Sequence, residues 1–150
     1  MNIKWYPGEL EKIGADVSRA LEDTGDEIIK DLRRQQTLPY AENPYTAALS
    51  AYQNPTAAER REARAKANAT GIEPGELQRS LFVDTSKASS GVVSVVTNTP
   101  YARRLYFHPE YHFYQGTNRR AGGEWYKPYM TDRKEFVVKA FSRFLRRARG

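Results

Sequence analysis

The chain has 150 residues, a length that suits one domain built around a single hydrophobic core. It contains no cysteine, which excludes disulfides, thiolate metal sites and a cysteine nucleophile. Its 24 basic residues outnumber its 18 acidic ones, and the formal charge of +6 favours an anionic partner without requiring one.

A long amphipathic helix is predicted at the start of the chain. From Gly8 to about Gln36, apolar residues recur every three or four positions with charged residues between them. Pro7 suits a first helical turn. Gly14 and Gly25 each weaken a helix interior by roughly 1 kcal/mol relative to alanine, so tertiary packing must hold this helix.

The next segment, at about 37–70, has a different composition. Its first part, Thr37 to Pro55, holds three prolines and three tyrosines, which predicts an extended, ordered loop. Its second part, Thr56 to Thr70, has strong helix propensity but nothing apolar larger than alanine. We predict an Ala-rich, solvated helix there, with a nucleic-acid-binding helix as the alternative.

Two runs that follow are rich in β-branched and aromatic residues, "QRSLFVD" at 78–84 and "GVVSVVTN" at 91–98. The polar run "TSKASSG" between them has the composition of a turn, so the three together predict an antiparallel β-hairpin. Valines on both faces of the second strand indicate that helices cover one face and another element or subunit covers the other.

Two further helices complete the predicted elements. After Pro100, which ends the second strand, "YARRLYF" predicts a short helix. From Thr131 to Arg149, a continuous apolar stripe predicts an amphipathic C-terminal helix. The predicted fold class is therefore α+β, with a long N-terminal helix, an antiparallel β-hairpin or small sheet and the C-terminal helix in a single domain, 1–150.

Both histidines of the chain lie in "HPEYH", with Glu110 between them. His108 and His112 have the i, i+4 spacing of zinc-binding helices. Pro109 disfavours a helix at that position, so the two imidazoles need not share a face. We interpret the histidines as ordinary packing or surface residues and predict neither a metal site nor a cofactor.

The same histidines and Glu110, together with Arg119 and Arg120, could supply the acid, base and cation of a small metal-independent nuclease. Nothing in their spacing fixes a mutual geometry, and the glycines of "AGG" do not form a phosphate-binding loop before a helix. We predict that the chain is not an enzyme and assign no catalytic residue.

Arginines and aromatic residues alternate between Asn98 and Met130, as they do in surfaces that bind phosphates and stack on bases. The same residue types are enriched in protein interfaces, and acidic residues interrupt the basic field. We therefore favour a protein interface, with a basic nucleic-acid-binding module that includes the end "RFLRRARG" as the alternative. The candidate subunit or partner contacts are Tyr101, Arg103, Arg104, Tyr106, Phe107, Tyr111, Tyr114, Trp125 and Tyr126.

Three short motifs, taken in order, resemble those of minor capsid proteins of tailed bacteriophages, within the wider group of neck or tail-completion proteins. They are "PGELQRSL" before the first strand, "TPYARRLYF" after the second and "AGGEWYKPYM" before the last helix. Pro74 stands where the group usually has threonine. The residues that match are Gly75, Leu77, Ser80, Thr97, Pro100, Tyr101, Ala102 and Trp125.

This resemblance implies a virion structural protein without catalytic residues, in the neck ring that joins head to tail. The ring would hold about six or twelve copies and contact portal, adaptor or head-completion proteins and tail terminator or tail tube proteins. DNA would pass through it without sequence-specific recognition. Assembly in the host cytoplasm is implied, and we expect no membrane contact because no apolar run approaches roughly 20 residues.

The resemblance also suggests structural roles for single residues. Gly75 would permit a tight entry into the first strand, and Leu77 would pin the hairpin to a helix. The residues that would supply rigid anchors at the packing or subunit surface are Tyr101, Tyr106, Phe107 and Trp125.

Overall fold

The computed structural model describes the backbone from Pro7 to Gly150 and the side chains from Gly14 onward. In this part of the chain six helices and two strands follow one another. They are α1 (Pro7–Gln35), α2 (Pro44–Leu49), α3 (Ala57–Thr70), α4 (Glu76–Arg79), β1 (Leu81–Asp84), β2 (Ser94–Thr97), α5 (Ala102–Tyr106) and α6 (Lys134–Arg149). The predicted α+β class, with its long first helix, antiparallel pair and final helix, is confirmed.

Helices α1 and α6 pack along each other and form the main helix–helix contact of the described chain. The apolar stripe of α1 is buried at Ile29 and Leu32, and that of α6 at Ala140. The side chains of Leu10 and Ile13, which belong to the predicted stripe of α1, lie outside the described residues. None of the helices in the described part has the length and apolar character needed to cross a membrane.

An ion pair between a buried carboxylate and a partly exposed arginine joins α1 to the residue before α6. The Asp31 side chain is only 4 % exposed, and Arg133 donates to its two oxygens from Nη2 at 2.7 Å and from Nε at 3.0 Å. The Tyr129 hydroxyl donates to Asp31 Oδ2 at 2.7 Å. Burial, followed by this contact with Asp31, raises the pKa of Tyr129. The carboxylate is therefore both paired and hydrogen-bonded, as a buried charge requires.

The hydrophobic core lies where α1, the β-hairpin, α5 and the segment around Trp125 meet. Its buried members are Ile29, Leu32, Leu38, Leu77, Leu81, Ala102 and Trp125. Among them, Leu32, Leu38 and Trp125 are the largest completely buried side chains. Partly buried residues such as Val83, Val95 and Tyr106 pack around this group. The core therefore draws on most of the described length of the chain.

Strands β1 and β2 form an antiparallel pair in which Leu81 lies opposite Thr97. Leu81 and Val83 share one face, which packs against α1, whereas Phe82 points to the other face and is substantially exposed. The predicted hairpin is confirmed, but its strands are shorter than predicted. Gln78 and Arg79 belong to helix α4, because the N–H of Arg79 bonds to the carbonyl of Gly75.

Two other predicted boundaries are corrected by the structure. The loop predicted at 37–55 contains α2, because the Asn43 side chain accepts hydrogen bonds from the N–H groups of Tyr45 at 2.9 Å and Thr46 at 3.3 Å. Helix α6 begins at Lys134 rather than Thr131, since a 3₁₀ turn at Lys127–Met130 occupies the preceding residues.

Helices α2 and α3 pack against each other and form an arm, residues 43–70. A capping box starts α3: the N–H of Glu59 bonds to the Thr56 hydroxyl, and the Glu59 carboxylate accepts from the N–H of Thr56. The Arg64 guanidinium lies 4.4 Å from the ring centre of Tyr45. The predicted Ala-rich helix is thus present, held by local contacts and by the buried Ala63.

Gly25 marks a close approach between α1 and β1, since an added Cβ would lie 2.9 Å from Cγ1 of Val83. Because valine is stiff, we expect Gly25→Ala to lower the free energy of unfolding by about 1–3 kcal/mol through overpacking. At Gly14 an added Cβ meets nothing within 4 Å among the described residues, so Gly14→Ala should raise the free energy of unfolding by about 1 kcal/mol. Urea unfolding compares the two variants, and stabilisation by both would contradict the close approach.

Candidate functional site

The residues that carry the resemblance lie at one junction between α4, β2 and α5. Gly75 precedes α4 with a φ of 80°, a conformation that favours glycine, and a Cβ there would lie 2.9 Å from the Tyr40 hydroxyl. The Ser80 hydroxyl donates to the carbonyl of Leu77 at 2.6 Å and accepts from the N–H of Asn98 at 3.1 Å. The junction therefore ties the entry of β1 to the exit of β2.

Several residues of the motifs are buried within the chain itself. Leu77, Ala102 and Trp125 belong to the core, and Trp125 is only 2 % exposed. Its ring meets Tyr106 edge to face, with the centroids 4.9 Å apart. The structure thus corrects the placement of Trp125 on a partner surface: its indole is covered by neighbouring side chains of the same chain.

A cleft of about 460 Å³ opens beside this junction. It is bounded by the end of α3, by α4, by α5 and by the loop that follows α5. Three large apolar side chains that line it are exposed, namely Ile72, Tyr101 and Tyr114. Leu77 and Leu105 also line it. An open, concave and largely apolar surface of this kind is typical of a binding site.

The cleft has an acidic edge. Glu73 and Glu76 are part of its lining, and the lining contains no lysine or arginine among the described residues. Glu76 Oε2 accepts a hydrogen bond from the Tyr101 hydroxyl at 2.9 Å. The Glu73 side chain is 75 % exposed and lies 3.8 Å from Arg79. The cleft therefore suits a partner that brings apolar side chains together with a positive charge.

Tyr101 offers a test of this geometry at high pH. Burial, followed by the hydrogen bond to Glu76 and its charge, raises the pKa of Tyr101 from 10.0 to about 12. The folded state thus favours the neutral phenol, so its contribution to stability is complete below pH 10 and is lost as the pH rises toward 12. In a phenolate absorbance titration, Tyr101→Phe should remove one late step, and Glu76→Gln should move that step to lower pH. Glu73→Gln is the matched control, and an equal shift in that variant would contradict the assignment.

A second surface group, the α5 cluster, consists of Arg103, Arg104, Phe107, His108 and Tyr111. Arg103 lies over the ring of Phe107 at 5.9 Å, and Arg104 over that of Tyr111 at 5.7 Å. The His108 ring stacks on Tyr111, with the centroids 4.6 Å apart. Phe107 is 62 % exposed. The cluster combines cations with open aromatic faces and can contact anionic or planar groups.

Of the residues proposed for a nuclease, His108 and Glu110 are in contact, whereas His112 and Arg120 contact other parts of the chain. His108 Nδ1 is 2.6 Å from Glu110 Oε1, and this hydrogen bond lowers the pKa of Glu110. His112 lines the cleft instead, and Arg120 donates to Gln35 at the end of α1 at 2.8 Å. Within the described residues, no group of three histidine, aspartate or glutamate side chains is placed to hold a metal ion. Among the described residues, His108, His112 and Arg120 therefore do not share one site.

The candidate partner contacts fall into three groups. Tyr106, Trp125 and Tyr126 belong to the core or pack against it, and burial raises the pKa of both tyrosines. Tyr101 and Tyr114 line the cleft, whereas Arg103, Arg104, Phe107 and Tyr111 belong to the α5 cluster. Sequence reasoning missed Ile72, whose signal is a lone large apolar residue after an alanine-rich helix.

The cleft and the α5 cluster are thus the two surfaces of the described chain that are best suited to a partner. Both flank α5. Comparison with protein-family models, curated proteins and solved structures gave no match to this chain.

Proposed function

We propose that the chain is a virion structural protein of a tailed phage and forms part of the connector ring between head and tail. One observation carries the proposal: the residues that resemble the minor capsid motifs meet at a single junction. Gly75 permits the backbone conformation before α4, the Ser80 hydroxyl accepts from the N–H of Asn98, and the Tyr101 hydroxyl donates to Glu76. Leu77 and Ala102 fill the core beneath. Motif residues with such packing roles support a structural function rather than a catalytic one.

The exposed surfaces support the same proposal. A ring subunit covers part of its apolar surface with the neighbouring subunit, and the cleft and Phe107 offer surface of this kind. Portal or head-completion proteins and tail terminator or tail tube proteins are the proposed neighbours above and below the ring. The α5 cluster would then be available for them or for the DNA in the channel.

Electron microscopy of particles from the virus that encodes the chain tests this proposal. We expect ring density at the neck that accommodates the paired helices α1 and α6, and defective head-to-tail joining when the protein is absent. Normal tailed particles without the protein, or a neck in which this density is missing, would exclude the proposed function.

A nucleic-acid-binding module is the second candidate, and the α5 cluster favours it. Its two arginines and three aromatic rings could contact phosphates and bases. Such a module should lose DNA affinity steeply with salt, and the Arg103→Ala, Arg104→Ala pair should reduce the magnitude of the slope of log affinity against log salt by about 2. A neck subunit should bind DNA weakly and without sequence preference, so fluorescence anisotropy at several salt concentrations separates the two.

A further inference from the structure

The cleft defines the chemistry of what it can bind. Ile72, Tyr101 and Tyr114 expose apolar surface in it, and the carboxylates of Glu73 and Glu76 give it a negative edge. Its volume of about 460 Å³ lies within the range of about 300–1,000 Å³ found for ligand sites. The matching partner is a short segment with large apolar side chains and at least one cation.

The chain contains such a segment immediately before α1. Residues 2–6 read "NIKWY" and lie outside the described part of the structure. In an extended segment alternate side chains point to opposite sides, so Ile3 and Trp5 would share one side and Lys4 would point to the other. The first pair matches the apolar lining, and Lys4 matches the exposed carboxylate of Glu73.

The same molecule cannot place this segment in its own cleft. Helix α1 has 29 residues and is about 43 Å long at about 1.5 Å per residue. The cleft lies near its C-terminal end, because Leu38 packs with Leu32 in the core and Tyr40 lines the cleft. Residues 2–6, which adjoin α1, span about 17 Å at most. We therefore propose that the cleft binds residues 2–6 of a neighbouring copy of this chain.

The contact can repeat in two ways, because donor segment and acceptor cleft lie at opposite ends of α1. Two copies with antiparallel α1 helices can exchange segments across a two-fold axis, or each copy can offer its segment to the next, a head-to-tail arrangement that closes into a ring when the rotation between copies permits. The proposed ring requires the second arrangement, in which the parent chain assembles beyond dimers. This inference rests on the proposed function and deepens it by naming the surfaces that join the subunits.

Complementary blocked variants test the proposal. A chain that lacks residues 2–6 keeps only the acceptor cleft. The variant Ile72→Arg, in which a bulky cation fills the cleft, keeps only the donor segment. Val92→Arg is the matched control, because Val92 on the hairpin is 49 % exposed, as is Ile72. By analytical ultracentrifugation we expect the parent and Val92→Arg to assemble, and each blocked variant to stay monomeric. Mixed together, the two blocked variants should form one-to-one pairs that grow no further.

A peptide experiment keeps the test valid if the shortened chain folds poorly. A labelled peptide of residues 2–8 should bind the shortened chain saturably and, in excess, dissociate parent assemblies. Its Trp5→Ala form should bind about 30-fold more weakly, as expected for a buried aromatic anchor. A peptide of the same composition in scrambled order is the control. Equal binding of the scrambled peptide, unchanged assembly of the shortened chain, or equal loss of assembly in Val92→Arg would overturn the proposal.

The test of the segment exchange can fail without the proposed neck function failing, and the reverse also holds. A neck ring whose subunits leave the cleft empty, or fill it with another protein, would overturn the segment exchange and leave the neck assignment intact. Pairing of purified chains through segment and cleft, together with a neck that lacks density for this protein, would support the segment exchange and overturn the neck assignment.

Discussion

Arg133→Met is expected to lower the free energy of unfolding by about 3 kcal/mol, because it leaves the Asp31 carboxylate buried without its main cation. The expected loss lies at the low end of the range of about 3–5 kcal/mol for broken buried pairs. Arg34 remains 3.6 Å from Asp31, and Tyr129 still donates its hydrogen bond. Methionine retains an unbranched side chain, so the variant removes the charge with little loss of packing.

Arg143→Met on the same helix is the matched control. Its contact with Glu27 is 4.0 Å long and the Arg143 side chain is 54 % exposed, so about 0.5 kcal/mol or less is expected from its loss. The double variant Asp31→Leu, Arg133→Met should be more stable than Arg133→Met alone, because no unpaired charge stays buried. Urea unfolding followed by circular dichroism measures all three. Equal destabilisation by Arg133→Met and Arg143→Met would refute the role of the buried pair.

Trp125→Ala should lower the free energy of unfolding by about 3–5 kcal/mol, since it removes the largest completely buried side chain and leaves a cavity beneath Tyr106. That loss is a large part of the total stability of a domain, about 5–15 kcal/mol. If the parent chain lies at the low end of this range, the variant will be partly unfolded at room temperature. Trp125→Phe should be milder because it fills part of the cavity.

Phe107→Ala provides the contrast, because it removes an aromatic ring from the surface rather than from the core. Its effect on the free energy of unfolding should stay within about 0.5 kcal/mol. If the α5 cluster binds a partner, the same variant should weaken that binding while the fold stays intact. Thermal unfolding and a binding measurement together separate the two roles. A Trp125→Ala protein that had normal stability but failed to assemble would show that Trp125 contacts a partner and is not a core residue.

The helices of this fold could be predicted where the pattern is long. Helices α1 and α6 carry apolar stripes over many turns and pack on each other, and α1 also packs on the hairpin. Short elements were missed because several local signals compete within a few residues. Around "NPYTAAL" the three prolines of the segment 37–55 favour a loop, although Asn43 followed by Pro44 is also the start signal of a helix. Near "GELQRS" the β-propensity of the strand obscured the turn of α4 that precedes it.

The candidate site was predictable in residue type but not in position. Aromatic residues serve both cores and interfaces, so the sequence gives no local means of separating Trp125 from Tyr114. The cleft draws Ile72, Glu76 and Tyr101 from three segments, and only the folded chain brings them together. The partners Asp31 and Arg133 are 102 positions apart, and nothing in the residues around either one indicates the other.

The Asp31–Arg133 pair also constrains how this chain folds as it leaves the ribosome. Because α6 is the last element to be made, the part of the α1 surface that it covers stays open until Arg133 and α6 have been synthesised, whereas Ile29 and Leu32 can pack earlier against the hairpin and α5. Loop closure over so many residues is slow compared with local helix formation. The nascent chain therefore carries an incompletely covered α1 until its final helix is made, and a translation product that stops before Lys134 should be aggregation-prone and a substrate for chaperones.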